Sequence, residues 1–259
     1  MIHQDVADAT RPEMRAPRRP GGRPATPRGR APCYIRRVTF LDASARAGFA
    51  QAVEAIEAAS GVEVVVAVRR RSAAYLHANV VVGAAVALAG LAVMLFGEPV
   101  FSLPAILFDP FVLGAAAGAV VELLPDVKRA LVPAAMRDRA VRGAARAAFV
   151  ERGVHATRDR SGILVYVSWL ERRVAVVADR GLARGFGDDA QLRAEHAMTR
   201  AIRAGGAAVA RELAQLAPAF AAVVPRRADD RNELPDAIDS DLDRRDRRRA
   251  PRRHRGPRQ

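Results

Sequence analysis

A single cysteine, Cys33, excludes an internal disulfide framework, a cysteine-built zinc site and an iron–sulfur cluster carried by this chain alone. Positive charge is missing from one long stretch. From Ser72 through Val127, 56 residues contain no Lys or Arg, although the 259-residue chain has 42 and a net charge of +14. A soluble domain this basic would not leave such a gap, which argues against an ordinary soluble globular protein. The first residues carry no apolar h-region, so no cleavable secretory signal is expected. A phosphate-cradling glycine loop, a nucleophile elbow and a zinc-protease helix motif are all missing. His77, His155 and His196 are too far apart in sequence for metal-ligand spacing, and Cys33 has no evident activating partner.

What is present divides into five stretches. Residues 1–38 carry nine Arg against three acids, with six Pro in the first 32 positions, and residues 225–259 carry twelve Arg against eight acids. Neither stretch can bury enough apolar surface to offset its ordering entropy, so both read as disordered, Arg-rich tails. Three uses stand for them: solvated disorder, contact with anionic lipid headgroups at about 1 kcal/mol per basic residue, and nucleic-acid binding. The last is disfavoured, because Arg244 to Arg258 has no aromatic residues for base stacking. Residues 39–71 and 128–224 read as two parts of one α/β domain, and 72–127 as an insertion between them.

The insertion reads as a two-helix transmembrane hairpin. Val80 to Phe96 is 17 residues without a polar side chain, about 25 Å as a helix, and can start at Ala73 if Tyr75, His77 and Asn79 lie at the headgroups. Gly97-Glu98-Pro99 makes a turn. The second run, Pro99 to Leu124, is interrupted by Ser102, Pro104, Asp109-Pro110 and Glu122. Two competitors stand beside this reading: a pair of buried core helices, and a shallow re-entrant second segment. Arg69 to Arg71 before the hairpin and Lys128, Arg129, Arg137 and Arg139 after it put both termini in the cytoplasm. Gly83, Gly90 and the run Gly114 to Gly118 suit close helix approach, within the hairpin or in an oligomer. Asp109 is costly inside an apolar run. It reads either as a proton or cation site, or as a carboxylate near a break at Pro110 that is protonated or faces water or another protein segment.

In the domain, Phe40 to Ala59 reads as a helix capped by Asp42, with Phe49, Val53 and Ile56 inward. Val62 to Val68 reads as a buried strand. After the hairpin come a helix from Pro133 to Gly153, with Met136, Ala140, Ala144, Ala147 and Val150 or Phe149 inward, and a β-hairpin of Ile163–Ser168 with Arg173–Ala178. A helix from Asp188 to Arg203 follows, with Leu192, Met198 and Ile202 inward. A last helix carries Val209, Leu213, Leu216 and Phe220. The expectation is a sheet flanked by helices.

The strings SGVEVVVAV and DRSGILVYVSWLERRVAVVADRGL, followed by a helical stretch, resemble the TPM-domain family. They are most similar to its bacterial membrane subgroup, in which two transmembrane segments follow the first strand. The resemblance runs from about Phe40 to Val224 and implies a TPM-like sandwich. The family includes plant thylakoid-lumen relatives described as acid phosphatases, with metal near acidic loops. By position this implies Asp159 and Asp179, with Asp188 and Asp189 nearby, as calcium or magnesium ligands. The chain departs from the family's frequent Gly-x-Gly at Asp179-Arg180-Gly181, and Arg158, Arg160 and Arg180 would suit an anion equally. Read from the residues alone, Asp159 and Asp179 are turn residues and Asp188 is a helix cap. The functional expectation is a membrane-anchored, non-catalytic interaction or assembly module bound to an unidentified protein partner. The alternatives are a metal-dependent phosphatase-like hydrolase using the acidic loops and, more weakly, a transport component using Asp109.

Overall fold

The computed structural model describes residues 40–227, 234 and 238–242. The 1–38 arm with Cys33, and most of the 225–259 tail, lie outside the described residues. Helix α1 (Ala43–Ala59) starts where Asp42 accepts the Ala45 N–H at 2.8 Å and stops at Ser60, whose hydroxyl donates to the Ile56 carbonyl at 2.8 Å. Phe49, Val53 and Ile56 are buried along one face, as their spacing predicts. Strand β1 (Val64–Arg69) leads to two long apolar helices, α2 (Leu76–Phe96) and α3 (Leu103–Leu123), and then to α4 (Pro125–Leu131) and α5 (Ala134–Glu151). The chain re-enters the sheet as β2 (Ile163–Ser168) and β3 (Arg173–Ala178). Next come α6 (Arg180–Phe186), α7 (Asp188–Ala201), α8 (Gly206–Ala214), α9 (Ala217–Val223) and a short β4 (Asp239–Ser240).

The sheet order is β3-β2-β1-β4. β1 runs parallel to β2, Val64 opposite Ile163, and β2 antiparallel to β3, Ile163 opposite Ala178. Because both faces of β1 and β2 are covered, their side chains are apolar without alternation. Val64, Val66, Val68, Ile163, Val165 and Val167 pack with Phe49 and Ile56 of α1, Met198 of α7, Val209 and Leu213 of α8 and Phe220 of α9. On the other face Val65, Ala67, Leu164 and Tyr166 meet Val141, Ala145 and Ala148 of α5. The architecture is α/β, a mixed sheet between helical layers.

Several expectations need correction. The fully buried face of α5 is Val141, Ala145 and Ala148; of the expected residues Ala140, Ala144 and Phe149 are partly buried against the core, whereas Ala147 is exposed and Met136 and Val150 are 44% and 62% exposed. An Ala/Arg-rich helix offers two weak apolar stripes, and contact with the sheet chooses between them. On α7 Leu192 is exposed while Ala194, Glu195 and Met198 are buried. The polar members have work at the sheet edge: Thr199 Oγ1 accepts the Val174 N–H (3.0 Å), Glu195 Oε1 accepts the Val176 N–H (2.9 Å), and Gln191 Nε2 donates to the Val176 carbonyl (2.7 Å). Four residues apart, these three side chains cover the open edge of β3. The single last helix expected through Phe220 is two, α8 and α9, with Pro218 in the first turn of the second.

At the opposite edge β4 pairs parallel with β1 through Ala67–Asp239 and Val68–Ser240, in a stretch that reads from sequence as tail. Asp239 pairs with Arg69 and Arg152, Asp241 Oδ1 accepts the Arg70 N–H at 2.8 Å, and Ile238 and Leu242 pack on the core.

Candidate functional site at the hairpin root

α2 and α3 are each 21 residues, about 32 Å long. Their mean hydropathies of 2.3 and 1.8 make both long and apolar enough to cross a membrane by length and composition. They are not core helices. Only 6% and 17% of their apolar windows are buried, and Phe96, Leu103 and Phe111 stand 88%, 82% and 71% exposed. The two helices touch backbone to backbone along small residues. A Cβ on Gly83 would lie 2.8 Å from the Gly114 carbonyl oxygen, and one on Gly114 would lie 2.6 Å from that of Gly83. The small-residue stripe therefore closes the hairpin on itself.

α3 runs through Pro110 without ending, so the break expected beside Asp109 is not found. A proline inside a helix forfeits one backbone bond and leaves the neighbouring turns intact when packing holds them. Asp109 is exposed on the rim of a cavity of about 690 Å³ between the two helices, walled by Val86, Gly90, Val93, Met94, Pro110 and Leu113.

Below the apolar helices the chain is fastened to the sheet by a buried polar lock. Leaving β1, the backbone passes Ser72 and turns at Tyr75, which takes the left-handed conformation (φ 47°). The Tyr75 side chain is turned into the protein. Its ring is 6% exposed and packed with Ala78 and Val132. Its hydroxyl donates to Glu171 Oε1 at 2.9 Å. Glu171, fully buried in the turn between β2 and β3, also accepts the Ser72 N–H at 2.9 Å and the Ser168 hydroxyl. Ser72 Oγ donates to Ser168 Oγ at 2.9 Å. Burial, and then the Glu171 charge, push the Tyr75 hydroxyl well above the usual tyrosine range. One carboxylate thus joins both sides of the hairpin entrance to the sheet.

A second clasp closes the exit. Glu122, an interruption of the apolar run when read from sequence, pairs with Arg71 (2.9 Å), Asn79 (3.0 Å) and the buried Lys128. It ties the start of α2 to the end of α3 and to α4. Outside it lie Arg129 and Arg172, both on Asp126 (Arg172 at 3.5 Å), and Arg173, whose Nε donates to Asp138 Oδ1 at 2.7 Å. Arg137 Nε is buried with no acceptor. Burial, then the charges of Arg173 and Arg129, press its pKa down.

The four acids singled out from sequence lie at the other end of the sheet, where β2 begins and β3 ends. The loops of Asp159 and Asp179 do adjoin: the Gly181 N–H donates to the Arg160 carbonyl at 2.9 Å, and a Cβ there would be 2.7 Å from that oxygen. Their carboxylates diverge. Asp159 points to Arg227 (3.2 Å), while Asp179 caps α6 through the Arg180 N–H (2.8 Å), with Arg160 3.9 Å away. Asp188 and Asp189 open α7, with Gly187 rather than Asp188 in the cap position. Among the described residues no group of three or more His, Cys, Asp or Glu side chains could hold a metal ion.

Glu171 is the residue that sequence reasoning missed. Its signal is an acid directly before Arg172 and Arg173 in the two-strand turn, where a charge run suggests solvent until the turn is found beneath another element. Neither a family model nor a curated protein matches the chain. Among solved structures, the NMR structure of the BA42 protein from the psychrophilic bacterium Bizionia argentinensis is similar, at 15% identity and a TM-score of 0.47. The match covers 78% of this chain and 95% of that one.

Proposed function

We propose that the chain is a membrane-anchored interaction or assembly module of TPM type. In this reading α2 and α3 cross a bacterial inner membrane as a hairpin, both termini are cytoplasmic, and the α/β domain meets a protein partner there. One observation carries it. Two exposed, membrane-length helices are fastened to the sheet by the Glu171 lock and the Glu122 clasp, so the domain would sit at the bilayer in a fixed pose. A fixed pose suits a docking platform. The polar groups of the lock bind one another, which suits holding elements together better than turnover. The absence of Lys and Arg between Ser72 and Val127, with arginines on both outer flanks, supports the orientation.

The native Cys33 makes the test direct. A membrane-impermeant maleimide added to intact spheroplasts should leave wild type unlabelled and label a Cys33→Ser, Glu98→Cys variant in the loop between α2 and α3. Labelling of Cys33 in intact spheroplasts, or release of the protein by alkaline carbonate, would refute the reading.

A further inference from the structure

Four arginines from three places converge beside the hairpin root: Arg129 on α4, Arg137 on α5, and Arg172 and Arg173 at the start of β3. Two carboxylates answer them. Asp126 is shared by Arg129 and Arg172, and Asp138 is bonded to Arg173. Arg137 is bonded to neither, and its buried Nε lacks an acceptor. A guanidinium cannot relieve such a position by losing its proton. Nε is closed off, but the two terminal nitrogens are not, and an anion whose oxygens match that end of the planar fork offsets the charge.

The neighbouring surface identifies the source of that anion. Leu124, Val127 and Leu131 are 45%, 42% and 41% exposed. At spacings of three and four they form one apolar side of the turn-and-helix segment that starts directly after α3. With α2 and α3 across a bilayer, an exposed apolar stripe at that place would lie in the interface, where headgroup phosphates are. Lys128 on the same helix turns inward to Glu122 instead. We infer that Arg137, flanked by Arg129 and Arg173, binds the phosphate of an anionic phospholipid headgroup at the hairpin root. The inference rests on the membrane reading above and is separate from any lipid contact of the Arg-rich tails. The guanidinium donates in a fork to two phosphate oxygens. The two uncompensated positive charges of the cluster select phosphatidylglycerol over phosphatidylcholine, whose choline would meet arginine.

The test uses the full chain in detergent with dioctanoyl phosphatidylglycerol or phosphatidylcholine, bound lipid being read by native mass spectrometry and melting temperature. Wild type should prefer phosphatidylglycerol, and Arg137→Gln should lose about five-fold in affinity for it, the worth of one basic contact. Arg137→Lys should recover part of this, and Arg193→Gln on the exposed side of α7 should bind as wild type does. Without lipid, Arg137→Gln should melt no lower than wild type, since it removes a buried unbalanced charge. Equal binding of the two lipids by wild type, or wild-type phosphatidylglycerol affinity in Arg137→Gln, would overturn the inference. Arg137-dependent stabilisation by millimolar inorganic phosphate, with no added gain from the lipid, would overturn its lipid source. A protein that stays in carbonate-washed membranes yet shows no Arg137 dependence refutes the site alone; a protein released by the wash refutes the membrane reading.

Discussion

Replacing Glu171 should detach the hairpin from the domain before it unfolds the domain. The carboxylate is fully buried and accepts the Ser72 N–H, the Tyr75 hydroxyl and the Ser168 hydroxyl. A hydrogen bond to a charged group contributes about 1.5–3 kcal/mol, and a buried donor left unpaired costs about 1–3 kcal/mol. In Glu171→Leu the Ser72 N–H and the Tyr75 and Ser168 hydroxyls lose their acceptor, while the existing Ser72–Ser168 hydroxyl contact can hold the two side chains together. The net loss should be about 4 kcal/mol, at the upper end for single substitutions. For a domain of this size that is roughly a 10 °C drop in melting temperature. Glu171→Gln keeps one carbonyl oxygen for Ser72 and Tyr75 and should lose only about 1–2 kcal/mol. Limited proteolysis separates this from a general loss of core, because cleavage between Arg69 and Tyr75 should accelerate before cleavage within β2 or α8. Refutation would be a Glu171→Leu protein that melts within about 1 kcal/mol of wild type, or one cut first elsewhere.

Three further outcomes follow from the geometry. Gly114→Leu places a side chain against the Gly83 backbone and should weaken the α2–α3 contact by about 1–3 kcal/mol, read as a lowered melting temperature in micelles with the domain's near-ultraviolet signal unchanged before melting. Glu195→Ala orphans the buried Val176 N–H at the sheet edge and should cost about 1–3 kcal/mol in thermal denaturation, whereas Arg193→Ala on the outer side of α7 should cost less than about 0.5 kcal/mol. The raised pKa of Tyr75 favours its neutral form in the fold, so its contribution is whole below the ordinary tyrosine pKa of about 10 and is lost as pH rises beyond it. Tyr75→Phe should therefore flatten the alkaline fall in stability, and an unchanged slope between pH 9 and 11.5 would contradict the assignment.

The strands and α1 are legible in the sequence because their signals are local. Five of the seven residues from Val62 to Val68 are valine, Ile163–Ser168 and Arg173–Ala178 are bounded by turn residues, and Asp42 stands one residue before the helix it caps. The faces of α5 and α7 are legible only in part: Met198 and Ile202 are buried and Phe149 packs on the core as expected, but Met136, Val150 and Leu192 are exposed. Alanine hardly distinguishes one side of a helix from another, and on α7 the buried side includes Glu195 because an open strand edge wants an acceptor more than it wants Leu192. β4 is hidden for a related reason. Two paired residues carry no periodicity, and their place depends on Arg69 and Arg152, each remote in sequence. Of the candidate site, the apolar helices are legible from composition, whereas the lock at their root joins residues 72, 75, 168 and 171, which no spacing rule connects.

The position of the insertion explains why the root is polar and buried. β1 and β2 are parallel neighbours, so the chain between them must leave one end of the sheet and return to the other. The apolar helices depart from the leaving end, and α4 and α5 bring the chain back along the sheet face. The departure point is therefore also where the β2–β3 turn lies, and any hairpin there traps Ser72 and Ser168 between layers. A trapped backbone N–H must find an acceptor. Glu171 supplies it from the turn, and its remaining acceptor positions recruit Tyr75 and Ser168. The lock is thus a consequence of inserting a hairpin at a parallel crossover, and removing the carboxylate should expose that junction first.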